Sequence, residues 1–404
     1  MFLRKRRGTT AKADELLELC QALLSPRGEV SGARLAADLV QMYRSLDAVE
    51  TEAFLDRLAT RFSPDLGAVR SAAEQFQQDA SLPSLLRLQR TVEPPRQELF
   101  RRWNFAPGAT ATLVDMRRRL LATLKTHPER VGVDADLLHL FRSWFNRGFL
   151  VLQRIDWRTP AVILERLIEY EAVHQIQGWR DLRRRLQTDR RCYAFFHPAL
   201  PDEPLIFIEV ALTRGLPAEV QPLIDPGSPV SDPVQADTAA FYSITNCQEG
   251  LRGVSFGNVL IKQVVDDLGG EFRRLRTFAT LSPVPGFREW LIGRDPRWAE
   301  ADPTSASSSM KKELMRLCAQ YLLFARRDHE PADPVARFHL ANGASLERLN
   351  WMADASPAGL LRAFGLMANY VYRPDDLERN HEAYAREYKV FASRPIERLA
   401  RLQD

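Results

Sequence analysis

Cysteine is scarce: four residues, Cys20, Cys192, Cys247 and Cys318, lie far apart along 404 positions, and no CxxC pair occurs. That spacing supports neither a zinc site nor a disulfide framework and fits a reducing compartment. Net charge is equally thin. Fifty-six Lys and Arg stand against 52 Asp and Glu, leaving +4, so the basic excess that marks a nucleic-acid binder is missing. No apolar stretch approaches the roughly 18 to 20 residues of a spanning helix. The start, Met1-Phe-Leu-Arg-Lys-Arg-Arg7, runs into polar sequence rather than a secretory apolar region. It has no acid before Asp14, as in an organellar transit peptide, but passes quickly into helical sequence. A cytoplasmic protein without membrane contact is the expectation.

The chain does have apolar residues in quantity. At 45% hydrophobic, it buries more than one domain usually holds, so two are expected. Over the first part, apolar residues recur at helical spacing, as in Leu35, Leu39, Met42, Tyr43, Leu46 and in Phe54, Leu55, Leu58, Phe62. No fixed-period repeat is evident, which points to a helical domain rather than a solenoid. Thr159-Pro160 reads as the start of another helix, running through Leu164, Leu167, Glu171 and His174.

From about Cys192 the pattern changes. Residues 204–213, 239–245 and 275–281 are short apolar, β-branched runs that read as strands, with a helical run over 258–265 between the last two. Strand, helix, strand implies a mixed α/β layer. The stretches 223–237 and 302–309 carry too few apolar residues to pack and read as surface loops. The cluster Arg180-Asp-Leu-Arg-Arg-Arg-Leu186 with Arg190-Arg191 reads as a solvated helix face, because acids and leucines interleave it.

Between the second strand and the helix lies Gln248-Glu-Gly-Leu-Arg-Gly-Val-Ser-Phe-Gly-Asn258. Glycines let backbone N–H groups approach a ligand, and a following helix offers its positive end to a pyrophosphate, with Arg252 and Lys262 adding charge. Taken alone, the glycines fit a plain turn equally well, and the segment matches neither the Walker sequence nor GxGxxG. It is similar to the acyl-CoA loop of the GNAT acetyltransferase superfamily.

Several segments in order resemble the malonyl-CoA decarboxylase family: Ser143-Trp-Phe-Asn-Arg-Gly-Phe-Leu150, Tyr170-Glu-Ala-Val-His174, Phe195-Phe-His-Pro-Ala-Leu-Pro-Asp-Glu-Pro-Leu205, Gly250-Leu-Arg-Gly-Val-Ser-Phe-Gly257, Leu281-Ser-Pro-Val-Pro-Gly-Phe287, Phe338-His-Leu-Ala-Asn-Gly343, Asn350-Trp-Met-Ala-Asp354 and Gly365-Leu-Met-Ala-Asn-Tyr370. The resemblance implies an α+β protein. An N-terminal all-α helical bundle over 1–188, concerned with oligomerisation, precedes a GNAT-like mixed α/β catalytic domain over 189–404. It implies decarboxylation of malonyl-CoA to acetyl-CoA without metal or biotin, coenzyme A being part of the substrate, in a homo-oligomer. The alternatives are a GNAT-type N-acyltransferase and a noncatalytic malonyl-CoA sensor.

By the same resemblance the catalytic residues are Ser282 and His339. The coenzyme A pyrophosphate loop is Gln248, Gly250, Arg252, Gly253, Val254, Ser255, Phe256, Gly257 and Asn258, and Asn369 and Tyr372 are expected at the substrate. Residue chemistry fits these roles. Loss of carbon dioxide leaves a thioester enolate that needs a hydrogen-bond donor and then a proton. Ser282 precedes Pro283 and a Pro285-Gly286 turn, so its hydroxyl sits on a stiff corner suited to orienting substrate. His339, with an ordinary pKa of about 6.5, has both protonation forms available near neutrality. On composition alone, a turn serine and a core histidine are the plainer readings. Asn369 as a helix cap and Tyr372 as packing stand equally beside the substrate roles. His174 and His197 have no metal-ligand spacing and read as structural.

Overall fold

The computed structural model describes residues 10–254, 256 and 259–401. The basic N-terminal stretch and three positions of the glycine loop, Ser255, Gly257 and Asn258, lie outside them. The chain divides into two compact units. One comprises residues 1–151, 196–203 and 248–256, and the other 152–195, 204–247 and 257–404.

The first unit is helical: α1 (Ala11–Leu24), α2 (Pro26–Arg44), α3 (Ala48–Arg61), α4 (Leu66–Asp79), α5 (Leu82–Val92), α6 (Pro95–Trp103), α7 (Ala109–Thr123) and α8 (Val131–Trp144). The apolar spacing seen in the sequence lands on buried faces, with Leu35, Leu39, Tyr43, Phe54, Leu55 and Leu58 all in the core. Tyr43, Phe54 and Trp103 meet edge to face at its centre, with ring centroids 6.0 to 6.3 Å apart. Helix starts are chemically marked. Asp47 and Glu50 form a reciprocal capping box on α3, and Ser25 with Pro26 opens α2.

The second unit is built on one mixed sheet: β1 (Val151–Ile155), β2 (Arg190–Phe196), β3 (Ile206–Thr213), β4 (Thr238–Asn246), β5 (Thr277–Thr280), β6 (Ser282–Pro283), β9 (Ser345–Asn350) and β10 (Met367–Tyr372), with a separate small hairpin of β7 (Arg326–Arg327) and β8 (Glu330–Pro331). The neighbour order is β1-β2-β3-β4-β5-β10-β6, and β9 also pairs with β10. The three runs read as strands are β3, β4 and β5. The helical run is α11 (Val259–Glu271), which follows α9 (Ala161–Tyr170) and α10 (Trp179–Arg185).

One irregularity in this sheet makes room for chemistry. β4 and β5 run parallel and in register from Thr238 opposite Thr277 to Phe241 opposite Thr280. Beyond that point β4 continues to Asn246, whereas the other chain moves on to β6 and pairs with β10 alone, Ser282 opposite Ala368 and Pro283 opposite Met367. Pro283 has no N–H to continue the ladder beside β4. The two neighbours part there, and a cavity opens between them.

Three expectations are corrected. The helix read through Glu171 and His174 stops at Tyr170, since Glu171 is extended and its carboxylate accepts from the N–H groups of Val173 (2.7 Å) and His174 (2.8 Å). Its N-cap is Pro160 rather than Thr159. The arginine cluster is not a solvated face. Arg180 and Arg183 are exposed, but Arg184, Arg185, Arg190 and Arg191 are buried. They are held by Asp189, by Glu209, by the Leu223 carbonyl and by Glu271 respectively. A buried guanidinium persists only when paired, and each of these is. The stretch 302–309 is only partly loop, because helix α12 (Ser308–Phe324) starts inside it, capped by Ser307.

Candidate active site

Ser282 is 6% exposed on β6, and His339 is 3% exposed on α13 (Pro334–Ala341). The sequence capped that helix well: Asp333 accepts from the N–H groups of Val335 (3.0 Å) and Ala336 (2.9 Å), with Pro334 at the first position. The second carboxylate oxygen of Asp333 accepts from the N–H of Gly286, 3.4 Å away, so one side chain links the serine's turn to the histidine's helix. Burial pushes Asp333 up to about 6.

The two candidate residues meet. Ser282 Oγ lies 3.0 Å from His339 Nε2 and donates to Thr280 Oγ1 at 2.8 Å. On the far side of the ring, Nδ1 lies 2.8 Å from the Tyr372 hydroxyl, and Tyr370 stacks on the imidazole with centroids 4.8 Å apart. Because Ser282 donates to Thr280, its oxygen is free to accept from an Nε2–H, leaving Nδ1 to accept from Tyr372. Desolvation pushes His339 down to about 3, so near pH 7 the neutral form stands alone and the protonated form that an ordinary histidine also has available there is lost. The same burial holds the Tyr372 phenol well above its usual range.

The pair opens into a cavity of about 340 Å³ between β4 and β6, lined on the apolar side by Val173, Phe241, Pro283, Val335 and Phe338 and on the polar side by Ser243. Beneath it lies a carboxylate to which residue chemistry had assigned nothing. Glu171 accepts from Ser243 Oγ at 3.0 and 2.9 Å, which fixes two lining residues, Val173 and Ser243, at once. Burial raises its pKa, opposed by the His174 N–H and by Arg185. Thr280 and Tyr370 were likewise missed. The available signal was a hydroxyl two residues before Ser282 and the period-two alternation of Ala368, Tyr370 and Tyr372.

The other expected site residues are more dispersed. Asn369 is fully buried on β10. Its amide donates to the carbonyls of Thr280 (2.8 Å) and Pro217 (3.3 Å), and its oxygen accepts from Asn350 (2.8 Å) and Arg348 (3.1 Å). Tyr372 touches His339 but lines a second cavity, of about 270 Å³, together with Lys262 and His381. In the glycine loop, Gln248, Gly250, Arg252, Gly253, Val254 and Phe256 are described and belong to the helical unit, whereas Ser255, Gly257 and Asn258 lie outside the described residues. Gly250 has a packing reason to be glycine: a Cβ there would stand 2.0 Å from the Val114 carbonyl oxygen. His197 is structural, with Nε2 3.0 Å from the Trp144 carbonyl and Nδ1 accepting from Ala199. Burial pushes His174 down to about 4.

Among the described residues, one trio, Asp56, His127 and Glu129, brings metal-type ligand atoms within 4.8 Å of one another. Arg130 already pairs with Asp56, and His127 with Glu129. No described helix is long and apolar enough to cross a membrane.

A helical unit joined to a mixed-sheet unit, with a buried serine–histidine pair at a cavity where two parallel strands part, is the architecture of an α+β enzyme. The comparisons narrow that class. "Malonyl-CoA decarboxylase N-terminal domain" matches residues 62–145, and "Malonyl-CoA decarboxylase C-terminal domain" matches 148–294 and 292–404. A solved malonyl-CoA decarboxylase from Rhodopseudomonas palustris is 49% identical, with a TM-score of 0.90 over 96% of this chain and 99% of that one. A second, from Agrobacterium vitis, is 47% identical, with a TM-score of 0.88 over 96% of this chain and 99% of its own. The goose (Anser anser anser) mitochondrial malonyl-CoA decarboxylase is 32% identical over 96% of this chain and 88% of its own. The chain belongs to the malonyl-CoA decarboxylase family.

Proposed function

We propose that this chain decarboxylates malonyl-CoA to acetyl-CoA and carbon dioxide. The observation that carries the reading, beside family membership, is the continuous hydrogen-bonded run Thr280–Ser282–His339–Tyr372 at the edge of a cavity with one apolar side. The malonyl carboxylate enters a space lined by Phe241, Val335 and Phe338, where a charge is poorly solvated and neutral carbon dioxide is not. The C–C bond breaks, its electron pair passes into the thioester as an enolate, and carbon dioxide leaves. One proton, taken up overall from solvent, then converts C2 to a methyl group.

His339 takes part as a neutral imidazole, its N–H or the Ser282 hydroxyl donating to the enolate oxygen. Such a preorganised donor supplies roughly 2.7 to 4 kcal/mol. The same hydroxyl–imidazole pair delivers the proton to C2. Tyr372 holds the ring from behind, and Asn369 ties β10 to the strand end that carries Thr280 and Ser282. The glycine loop 248–258 receives the coenzyme A pyrophosphate. No metal or biotin enters this route, and coenzyme A arrives with the substrate.

The helical unit serves self-association, and the protein works as a cytoplasmic homo-oligomer in fatty-acid metabolism. Incubation with malonyl-CoA, followed by mass spectrometry with and without an amine acceptor, tests the central claim. Acetyl-CoA and carbon dioxide without acceptor are expected. Unchanged thioester, or free coenzyme A released only with the amine, refutes it.

A further inference from the structure

The described part of the glycine loop is held from below by one side chain. Arg117 on α7 is 2% exposed, and its Nη1 donates to the carbonyls of Gly250 (2.8 Å) and Arg252 (2.7 Å), while its Nε donates to Asp134 at 2.8 Å. The planar guanidinium therefore turns two carbonyls of the loop toward α7. With every described peptide trans, the N–H following each carbonyl points the opposite way.

The consequence differs along the loop. The N–H groups of Leu251, Arg252 and Val254 are already spent on Gln248 (2.9 Å), Glu249 (3.0 Å) and Leu251 (2.9 Å). The Gly253 N–H has no acceptor among the described residues, and Gly253 is exposed with φ +85°, a backbone state suited to glycine. It is a donor aimed away from the clamp.

Charge gathers at the same place. A Cβ on Gly253 would lie 3.6 Å from Leu138 of α8, and Asp134, Leu138 and Arg142 follow one another at helical i, i+4 spacing on that helix. Arg142 and Arg252 are exposed. Burial lowers the Arg117 pKa, the Asp134 carboxylate opposes that, and the Arg252 and Arg142 charges add to the lowering. Three guanidinium groups, against the carboxylates of Asp134 and the loop's own exposed Glu249, thus stand near an unspent backbone donor: the makings of an anion cradle.

We propose that Arg117 is a positioning residue for the phosphoryl end of the substrate, fixing the Arg252–Gly253 peptide so that the Gly253 N–H, flanked by Arg252 and Arg142, receives a phosphate oxygen. This rests on the reading that the chain acts on a coenzyme A thioester. Neither Arg117 nor Arg142 belongs to the glycine-rich motif itself. Both come from helices of the other half of the sequence.

The test compares wild type with Arg117→Met, Arg117→Lys and Arg142→Ala on three substrates: malonyl-CoA, its 3′-dephospho form, and malonyl-pantetheine, which has no pyrophosphate. Each variant is expected to raise KM for malonyl-CoA about tenfold, equivalent to about 1.4 kcal/mol, with kcat within about twofold and a much smaller change on malonyl-pantetheine. Arg117→Lys keeps the charge but loses the fork, and carries the test if Arg117→Met does not fold. A penalty shared by malonyl-CoA and its dephospho form assigns the cradle to the pyrophosphate, and one confined to malonyl-CoA assigns it to the 3′-phosphate. An equal loss on all three substrates, or an unchanged KM, overturns the proposal. Calorimetric titration with coenzyme A itself reads the cradle separately from turnover: wild type that binds coenzyme A but leaves all three thioesters intact sinks the decarboxylase reading and not this one.

Discussion

Ser282 Oγ and His339 Nε2 stand 3.0 Å apart, although 57 positions separate them in the chain. The serine is held by the pairing of β6 with β10 and the histidine by a helix that Asp333 caps, while the same Asp333 reaches back to the turn at Gly286. The contact is thus fixed from both ends.

Removing either partner should act on the chemical step. Ser282→Ala and His339→Asn are expected to lower kcat by about 10² to 10³-fold, the range for loss of a preorganised donor or acid–base group. Circular dichroism and melting confirm the fold, and steady-state rates decide. Near-normal kcat in both folded variants would refute the assignment.

Tyr372 touches the imidazole at Nδ1. Tyr372→Phe keeps the packing and removes one hydroxyl, worth about 1 kcal/mol when well placed. A fall in kcat of roughly five- to tenfold with little change in KM is expected. A change in KM alone would place the phenol on the substrate instead.

The pH dependence of stability has a definite sign. Burial holds His174 at about 4 in the folded chain, below its ordinary 6.5. Between those values the unfolded chain binds a proton that the folded chain refuses, so stability present above pH 6.5 is lost as pH falls. From pH 7 to pH 5 this histidine accounts for about 2 kcal/mol. Urea unfolding of wild type and His174→Gln at both pH values should show the variant losing about that much less. Other groups, such as Asp333 with its raised pKa, enter both proteins alike and cancel in the comparison.

Gly286 faces the Tyr321 hydroxyl so closely that a Cβ would stand 2.3 Å from it. Gly286→Ala must displace the tyrosine ring or the turn, at a cost of about 1 to 3 kcal/mol. A lowered melting temperature together with reduced kcat is expected, because the turn that moves is the one following Ser282. An unchanged melting temperature would show that the turn yields freely.

Arg185 pairs with Glu209 at 2.7 Å in a fully buried setting. Arg185→Met leaves that carboxylate without its cation and should destabilise by about 3 to 5 kcal/mol. Denaturant titration measures it, and a loss under about 1 kcal/mol would mean that Glu209 is already neutral.

Much of this protein was set by local sequence. Helical periodicity placed Leu35, Leu39 and Phe54 in a core, and short β-branched runs marked β3, β4 and β5, because both patterns record which side of an element meets water. The ordered motifs around Ser282 and His339 carried the family. The short strands β6, β9 and β10 were not legible, since a two-residue strand has no period and β10 reads as well as a buried helix segment. Nor did the arginine run announce its burial, because the carboxylates that neutralise Arg185 and Arg191, Glu209 and Glu271, lie on other elements.

Tertiary structure alone decided the chemistry of the site. A lone histidine has a pKa near 6.5 by its own nature and keeps both protonation forms near neutrality, and only burial beside Tyr370, Tyr372 and Ser282 removes the protonated one from His339. The cavity exists because β4 and β6 part company after Phe241, a relation between chain segments with no trace in either one. Sequence supplied the reacting groups, and the fold chose their protonation and their neighbours, because both depend on contacts between residues far apart in the chain.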